Sequence, residues 1–401
     1  MTDGIAYWLW HRCESRRTSL LHNHDTGSTQ RAQGGRDAGV CEWSRWFDDR
    51  RCLQLRPVVL HAIPSGVCRR YSAGMKAVLC KSYGPPENLS LDDVADPACG
   101  DGQVLIDVSA AGLNYPDTLQ IAGKYQFQPP FPFTPGAEVA GVVAEVGDGV
   151  RHVRRGDRVM ALPGLGGMAE RVVADANAVA PIPESMDFAT AAGFALVYGT
   201  SYHALKQRAG LQAGETLVVL GAAGGVGLAA VEIGKAFGAR VIAAAGTDEK
   251  LDVARGRGAD ELVNYSRENL KDRIKELTGG NGADVIFDPV GGELFEQCAR
   301  AVNWNGRILV IGFASGVIPK YPTNLALLKG CQLVGVFWGE FVKREPQACR
   351  ANVGELFQLY AEGKIKPLVE QVFPLEQYAD ALNLFVNRQA VGKVVLRVRE
   401  G

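Results

Sequence analysis

The stretch from Leu217 to Asp260, LVVLGAAGGVGLAAVEIGKAFGARVIAAAGTDEKLDVARGRGAD, limits the folds open to this chain more than any other. An apolar run over Leu217–Leu220 has the length of a buried strand. A glycine cluster follows, then a helical pattern from Gly225 to Phe237 and a second apolar run from Arg240 to Ala245. Strand, tight turn, helix and strand in that order make the βαβ unit of a doubly wound parallel sheet. The turn reads Ala222-Ala223-Gly224-Gly225-Val226-Gly227, a dinucleotide fingerprint with alanine in place of its first glycine. Gly224 leaves room for a pyrophosphate against the backbone, and Gly227 lets the helix pack close to the strand. The free N–H groups of the first helical turn attract the anion. Ala223, Gly224, Gly225 and Val226 are therefore expected to hold a dinucleotide.

The end of the second strand bears on which dinucleotide. An NAD site usually places Asp or Glu there, on the ribose 2′-hydroxyl. Here the strand ends Ala245-Gly246-Thr247-Asp248-Glu249-Lys250, with nothing anionic at Ala245 or Gly246 to repel a 2′-phosphate. Thr247 offers a hydrogen bond and Lys250 a charge, so NADPH is expected over NADH, with Asp248 and Glu249 weighing the other way. Thr247 and Asp248 also have the character of a helix cap.

From Leu217 onward six candidate strands alternate with helical patterns: Leu217–Leu220, Val241–Ala245, Glu261–Asn264, Asp284–Phe287, Arg307–Ile311 and Leu333–Phe337. Two mononucleotide-binding halves require that number. Before them, short strands punctuated by Gly, Pro and Asp make a small β-rich domain, followed by helices expected over Asp187–Ala195 and Gly199–Arg208. A last strand, Lys393–Val398, is expected to return to the first domain. The resulting divisions are 75–200 and 341–401 for a discontinuous β-rich domain and 201–340 for the nucleotide-binding domain. Residues 1–74 read differently, with eleven Arg, no Lys, four of the six Trp and no sustained period. They match neither a secretion signal nor a transit peptide. The expectation is a disordered extension, or upstream DNA translated from an early start with Met75 as the natural beginning.

No apolar stretch reaches membrane-spanning length, and a formal net charge of −1 speaks against a protein dedicated to nucleic acid. The cysteines after residue 74 are single and lack metal-ligand spacing, which suits a reducing cytoplasm.

Taken with four further motifs, the glycine turn resembles the medium-chain dehydrogenase/reductase superfamily, in its zinc-free, zeta-crystallin-like quinone oxidoreductase branch. The motifs are AGLNYPD over 111–117, PFTPGAEVAG over 132–141, Gly156-Asp157-Arg158-Val159 and Tyr198-Gly199-Thr200. The resemblance runs from Met75 to Arg397 and implies an α/β fold, a Rossmann doubly wound parallel sheet beside a GroES-like catalytic domain. The family's alcohol dehydrogenases hold a catalytic zinc with two cysteines and a histidine. Asn114, Ala137 and Ala192 stand at those places here, so no metal is expected. By the same resemblance Asn114 lies near the nicotinamide ribose and the substrate. Tyr265 packs on adenine or bonds the 2′-phosphate, with Arg388 near that phosphate. Gly312, Phe313, Val336, Phe337 and Trp338 meet the nicotinamide, and Thr200 joins the cofactor contacts. A homodimer pairing near Leu333–Phe337 is also implied.

Two tyrosines, Tyr115 and Tyr125, are candidates to hydrogen-bond a quinone oxygen. Phe127, Phe131, Phe133 and Trp338 could wall a flat apolar site. Without zinc there is no strong Lewis acid to polarise an alcohol or aldehyde. A quinone accepts hydride without one, and the hydride chemistry belongs to the cofactor. The expected activity is NADPH:quinone reduction without flavin. Reduction of enones, 2-alkenals or enoyl thioesters is the close alternative, and a cofactor-stabilised structural or RNA-binding role of the crystallin kind is the third.

Overall fold

The computed structural model describes residues 74–399. The extension expected over residues 1–74 lies outside them, Gly74 excepted. Strands β1 (Met75–Leu79) and β2 (Ser90–Val94) form an antiparallel pair. The long strand β3 (Gln103–Leu113) then founds the first large sheet. Helix α1 (Tyr115–Ile121) follows, and after it β4 (Glu138–Val146), β5 (Arg158–Ala161), β6 (Arg171–Asp175) and β7 (Val179–Pro181). β3 lies antiparallel to both β4 and β6, and the sheet continues through β5 to β7. Alternate residues of β3, Val104, Ile106 and Val108, are fully buried in one core, as the pleat requires.

Helix α2 (Phe188–Ala192) starts at Asp187, whose carboxylate accepts a hydrogen bond from the Thr190 N–H, and stops at Gly193. Helix α3 (Ala195–His203) runs on into one π-helical turn over Ala204–Arg208. The sequence pattern began this helix at Gly199, which instead sits in its middle. A Cβ there would stand 2.5 Å from Trp338 Cζ2, so this glycine serves helix packing and does not mark a helix start.

The second sheet alternates strand and helix: β8 (Thr216–Leu220), α4 (Gly225–Ala236), β9 (Arg240–Ala245), α5 (Asp248–Gly256), β10 (Glu261–Asn264) and α6 (Leu270–Leu277). Its second half is β11 (Ala283–Asp288), α7 (Gly292–Ala301), β12 (Val302–Val310), α8 (Thr323–Lys329) and β13 (Gln332–Gly335). The six strands are parallel, in the order β10-β9-β8-β11-β12-β13. The strand order reverses between β8 and β11, which opens a crevice at the strands' carboxyl ends. Leu217 and Val219 face the core shared with α3 and α4, while Val218 and Leu220 face the core shared with α6 and α7. Burial on both faces explains the unbroken apolar run. Each such side chain contributes about 1.5–3 kcal/mol.

The chain then passes through α9 (Trp338–Arg344), α10 (Pro346–Ala361), β14 (Gln371–Pro374), α11 (Tyr378–Val386) and β15 (Val394–Arg397). β15 pairs antiparallel with β3 and parallel with β14, so the last strand does return to the first sheet. On the way the Gly392 N–H donates to the Ala223 carbonyl at 2.8 Å, which stitches this segment to the glycine turn. Two local expectations fail. β13 ends at Gly335, short of the expected Phe337, and Trp338 opens α9. Helix α8 went unread because it is only seven residues long and buries none of them. Among the described residues, no helix is long and apolar enough to cross a membrane.

Candidate active site

The glycine turn divides its work between the fold and the crevice. A Cβ at Gly227 would overlap the Gly221 carbonyl oxygen, so that glycine is what lets α4 lie close to β8. At Gly224 an added Cβ would make only an ordinary 3.4 Å contact with that oxygen, so the space beside it is open. Gly224 is also the N-cap of α4 and has no side chain to cap the helix. The first-turn N–H groups over Gly225 and Val226 thus form an uncapped positive end. The Val226 carbonyl accepts from Ser201 Oγ at 2.8 Å, which fixes the turn against α3.

At the end of β9, residues from three segments converge. Thr247 caps α5, its hydroxyl accepting from the Lys250 N–H at 3.4 Å. Asp248 is engaged elsewhere: its carboxylate accepts from Asn264 Nδ2 at 2.9 Å and from the Arg267 guanidinium at 2.6 Å. One of the two acidic residues that weighed against a 2′-phosphate is thereby paired, by an arginine the sequence pattern did not single out; among the described residues Glu249 is not paired in this way. Lys250 Nζ donates to the Arg388 carbonyl at 2.6 Å, and burial lowers its pKa. The Tyr265 ring lies against Gly246. Burial raises the phenol's pKa, opposed by the charge of Arg388. Gly246, Thr247, Lys250, Tyr265 and Arg388 are therefore one neighbourhood.

Asn114 precedes α1, its N–H donating to the Asp117 carboxylate at 2.7 Å. Its side chain is engaged at both ends. Nδ2 donates to Glu138 Oε1 at 2.9 Å, and Oδ1 accepts from Lys393 Nζ at 2.8 Å. Lys393 also donates to the Leu113 carbonyl at 3.0 Å and pairs with Glu138, whose second oxygen accepts from the Leu196 N–H at the start of α3. Asn114, Glu138 and Lys393 are 5%, 1% and 3% exposed. Asn114, expected near the nicotinamide ribose and the substrate, has its side chain held in one orientation within this interior cluster. Asp117 is buried next to it. Burial pushes its carboxyl up to about 7, against the opposing pull of the Asn114 N–H and the Lys393 charge, with Glu138 adding to the rise. Glu138 and Lys393 carried no local signal as a pair, since 255 residues separate them.

The aromatic candidates do not form one wall. Tyr115, the first residue of α1, lines a cleft of about 480 Å³ together with Ser315 and Arg388. Tyr125 is partly buried toward Asp117, its pKa raised by burial and then by that carboxylate. Phe133 belongs to the core, Phe131 packs between Tyr83 and Phe133, and Phe127 is exposed. Gly312 and Phe313 follow β12, with the Gly312 N–H 3.4 Å from the Asp288 carbonyl. Val336 donates its N–H to the Val310 carbonyl, Phe337 is exposed, and Trp338 rests on Gly199 beside Thr200.

His203 stacks on Phe341 with ring centroids 3.9 Å apart, and His152 bonds the Val179 carbonyl. Among the described residues no group of three or more His, Cys, Asp and Glu comes together as a metal-ligand set. Asn114, Ala137 and Ala192 offer neither thiolate nor imidazole, so these residues do not fit a zinc ion. The positive charge buried beside Asn114 and Glu138 is the Lys393 ammonium.

With this geometry in place, the likeness to known proteins can be read. Residues 100–184 match the alcohol dehydrogenase GroES-like domain, and residues 225–355 match the family described as zinc-binding dehydrogenase. A quinone oxidoreductase-like protein 2 homolog of Nematostella vectensis is 42% identical over 328 residues, covering 81% of this chain and 89% of the relative. Quinone oxidoreductase of Homo sapiens is 35% identical over 325 residues, covering 80% of this chain and 97% of that one. The crystal structure of Escherichia coli quinone oxidoreductase complexed with NADPH superposes with a TM-score of 0.77 at 29% identity, covering 80% of this chain and all (100%) of the other. The chain is an oxidoreductase of the medium-chain dehydrogenase/reductase superfamily and belongs to its quinone oxidoreductase branch.

Proposed function

We propose that this protein is an NADPH:quinone oxidoreductase that passes hydride from the nicotinamide directly to a quinone, with neither zinc nor flavin. The observation that carries this reading is the uncapped end of α4 after β8, beside the end of the adjacent parallel strand β9, after which Lys250 meets Arg388. That arrangement suits a dinucleotide bearing a 2′-phosphate. NADPH bound there supplies the hydride. The first-turn N–H groups of α4 hold the pyrophosphate, and Thr247, Lys250 and Arg388 hold the 2′-phosphate. Tyr265 packs on the adenine side. The Asn114–Glu138–Lys393 cluster keeps the floor of the site rigid, and the Tyr115 hydroxyl orients the acceptor's oxygen. The Escherichia coli relative crystallised with NADPH supports the choice of cofactor.

A panel of 1,2-naphthoquinone, 9,10-phenanthrenequinone, 2-alkenals and crotonyl-CoA, each with NADPH, tests the reading. Turnover of the quinones is expected. Rates confined to the alkenes would replace it with activated-alkene reduction. Stoichiometric NADPH binding without turnover of any acceptor would point to a cofactor-stabilised protein that is not an enzyme.

A homodimer through the β13 edge belongs to the same proposal. That strand ends the sheet, and Leu333 on it, with Leu327 and Leu328 on α8, is exposed. Apolar side chains along an unpaired edge favour association. Sedimentation velocity at micromolar concentration should report twice the chain mass, and a monomer would remove this part. A cytoplasmic setting fits the five cysteines among the described residues, all free thiols.

A further inference from the structure

We infer that the cleft between α1, α11 and the loop after β12 is a subsite for anionic acceptors: quinones whose apolar ring carries a sulfonate, carboxylate or phosphate. This rests on the reductase reading above and narrows its substrate class. The cleft has a volume of about 480 Å³, within the range of small-molecule sites. Tyr115, Leu119 and Lys124 line one side, Phe385 and Arg388 the next, and Ser315 the loop. Leu119 and Phe385 give it apolar walls, while Tyr115 and Ser315 bring hydroxyls.

Its charge is one-sided. Two cations line it, and no Asp or Glu does. Elsewhere lysines are commonly matched, as in Lys81–Asp92, Lys206–Glu355 and Lys235–Asp260. Among the described residues the Lys124 ammonium makes no ion pair or hydrogen bond, and the Arg388 guanidinium reaches only the Ser315 carbonyl at 3.5 Å. Unmatched cations on low-dielectric walls concentrate an anion. None of residues 223–227 lines this cleft, so it is separate from the glycine turn. Arg388 is shared with the proposed 2′-phosphate contact. Lys124 is not, which makes it the residue that distinguishes the two.

The test compares 1,2-naphthoquinone with 1,2-naphthoquinone-4-sulfonate at saturating NADPH, in the unaltered protein, Lys124→Ala and Lys124→Glu. The sulfonate should have the lower KM in the unaltered protein. Lys124→Ala should raise that KM about five- to tenfold, as for loss of one charge-assisted hydrogen bond, and Lys124→Glu should raise it further. The KM values for the neutral quinone and for NADPH should stay within about twofold, the size of an indifferent surface change. Parallel shifts for both quinones overturn the subsite. So does a shift confined to NADPH, which would mean that Lys124 reads the cofactor.

If the unaltered protein binds NADPH but turns over neither quinone, the reductase reading fails by itself. Calorimetric titration of the NADPH complex with 1-naphthalenesulfonate, which cannot be reduced at the ring, then decides the subsite. Binding that is lost in Lys124→Glu supports it, and no binding to the unaltered protein overturns it.

Discussion

The glycine turn between β8 and α4 and the neighbouring Asn114–Glu138–Lys393 cluster both manage charge, and they do so by opposite means. The turn uses backbone N–H groups of consecutive residues and leaves them uncapped. The cluster uses side chains that lie 24 and 279 residues apart in the chain and gives each a partner in the interior. One region is left open so that a ligand can complete it, and the other is closed so that nothing moves. Changes in the first should therefore be read mainly in binding, and changes in the second mainly in stability.

The sharpest test of that division is Lys393→Met. It strands Glu138 without its cation and should cost about 3–5 kcal/mol of stability in urea denaturation. Adding Glu138→Gln should recover most of the loss, and additive losses would mean that the two residues are not coupled. Next in size is the pH dependence of Asp117. The folded protein keeps this proton up to about pH 7, whereas an unfolded chain releases it near about 4. The group's contribution is therefore fully present below about pH 4 and is lost as pH rises through about 7. Asp117→Asn should flatten the stability profile over that interval, and an unchanged slope would place the titration elsewhere.

The two glycines separate the roles within the turn itself. Gly227→Ala must push α4 from β8 and should cost about 1–3 kcal/mol. Gly224→Ala should leave stability within about 0.5 kcal/mol. It should nevertheless raise the NADPH dissociation constant about tenfold, equivalent to about 1.4 kcal/mol, as measured by fluorescence titration. A Gly224→Ala protein that binds NADPH normally would break the comparison, because the turn would then be only a packing device. The smallest expected effect is one of specificity. Lys250→Ala should weaken NADPH about tenfold, for one charge-assisted contact, and leave NADH almost unchanged. Equal losses would remove Lys250 from the 2′-phosphate.

The same contrast explains what could be read before any coordinates. The apolar strands, the glycine turn and the alternation of the second sheet are local patterns, and β8, β9, β10 and α4 lie within a residue of their expected bounds. Gly199 misled because its reason lies in α9, where the Trp338 ring needs the space. Asn114 was singled out by resemblance, as a polar residue near the nicotinamide ribose. Its partners were invisible, because β15 brings Lys393 to it only after the sheet has closed. Arg267 answers Asp248 across 19 residues, and no helical or strand period encodes that distance.

The stitch between Gly392 and Ala223 sets an order of events on the ribosome. Asn114 and Glu138 are made first, the glycine turn later, and Lys393 emerges 255 residues after Glu138. At about 5–20 residues per second that interval is on the order of tens of seconds. Throughout it the nascent polypeptide carries a carboxylate meant for the interior with no ammonium to meet it. The crevice can take up its finished shape only once the last strand has been translated and has threaded back to the beginning.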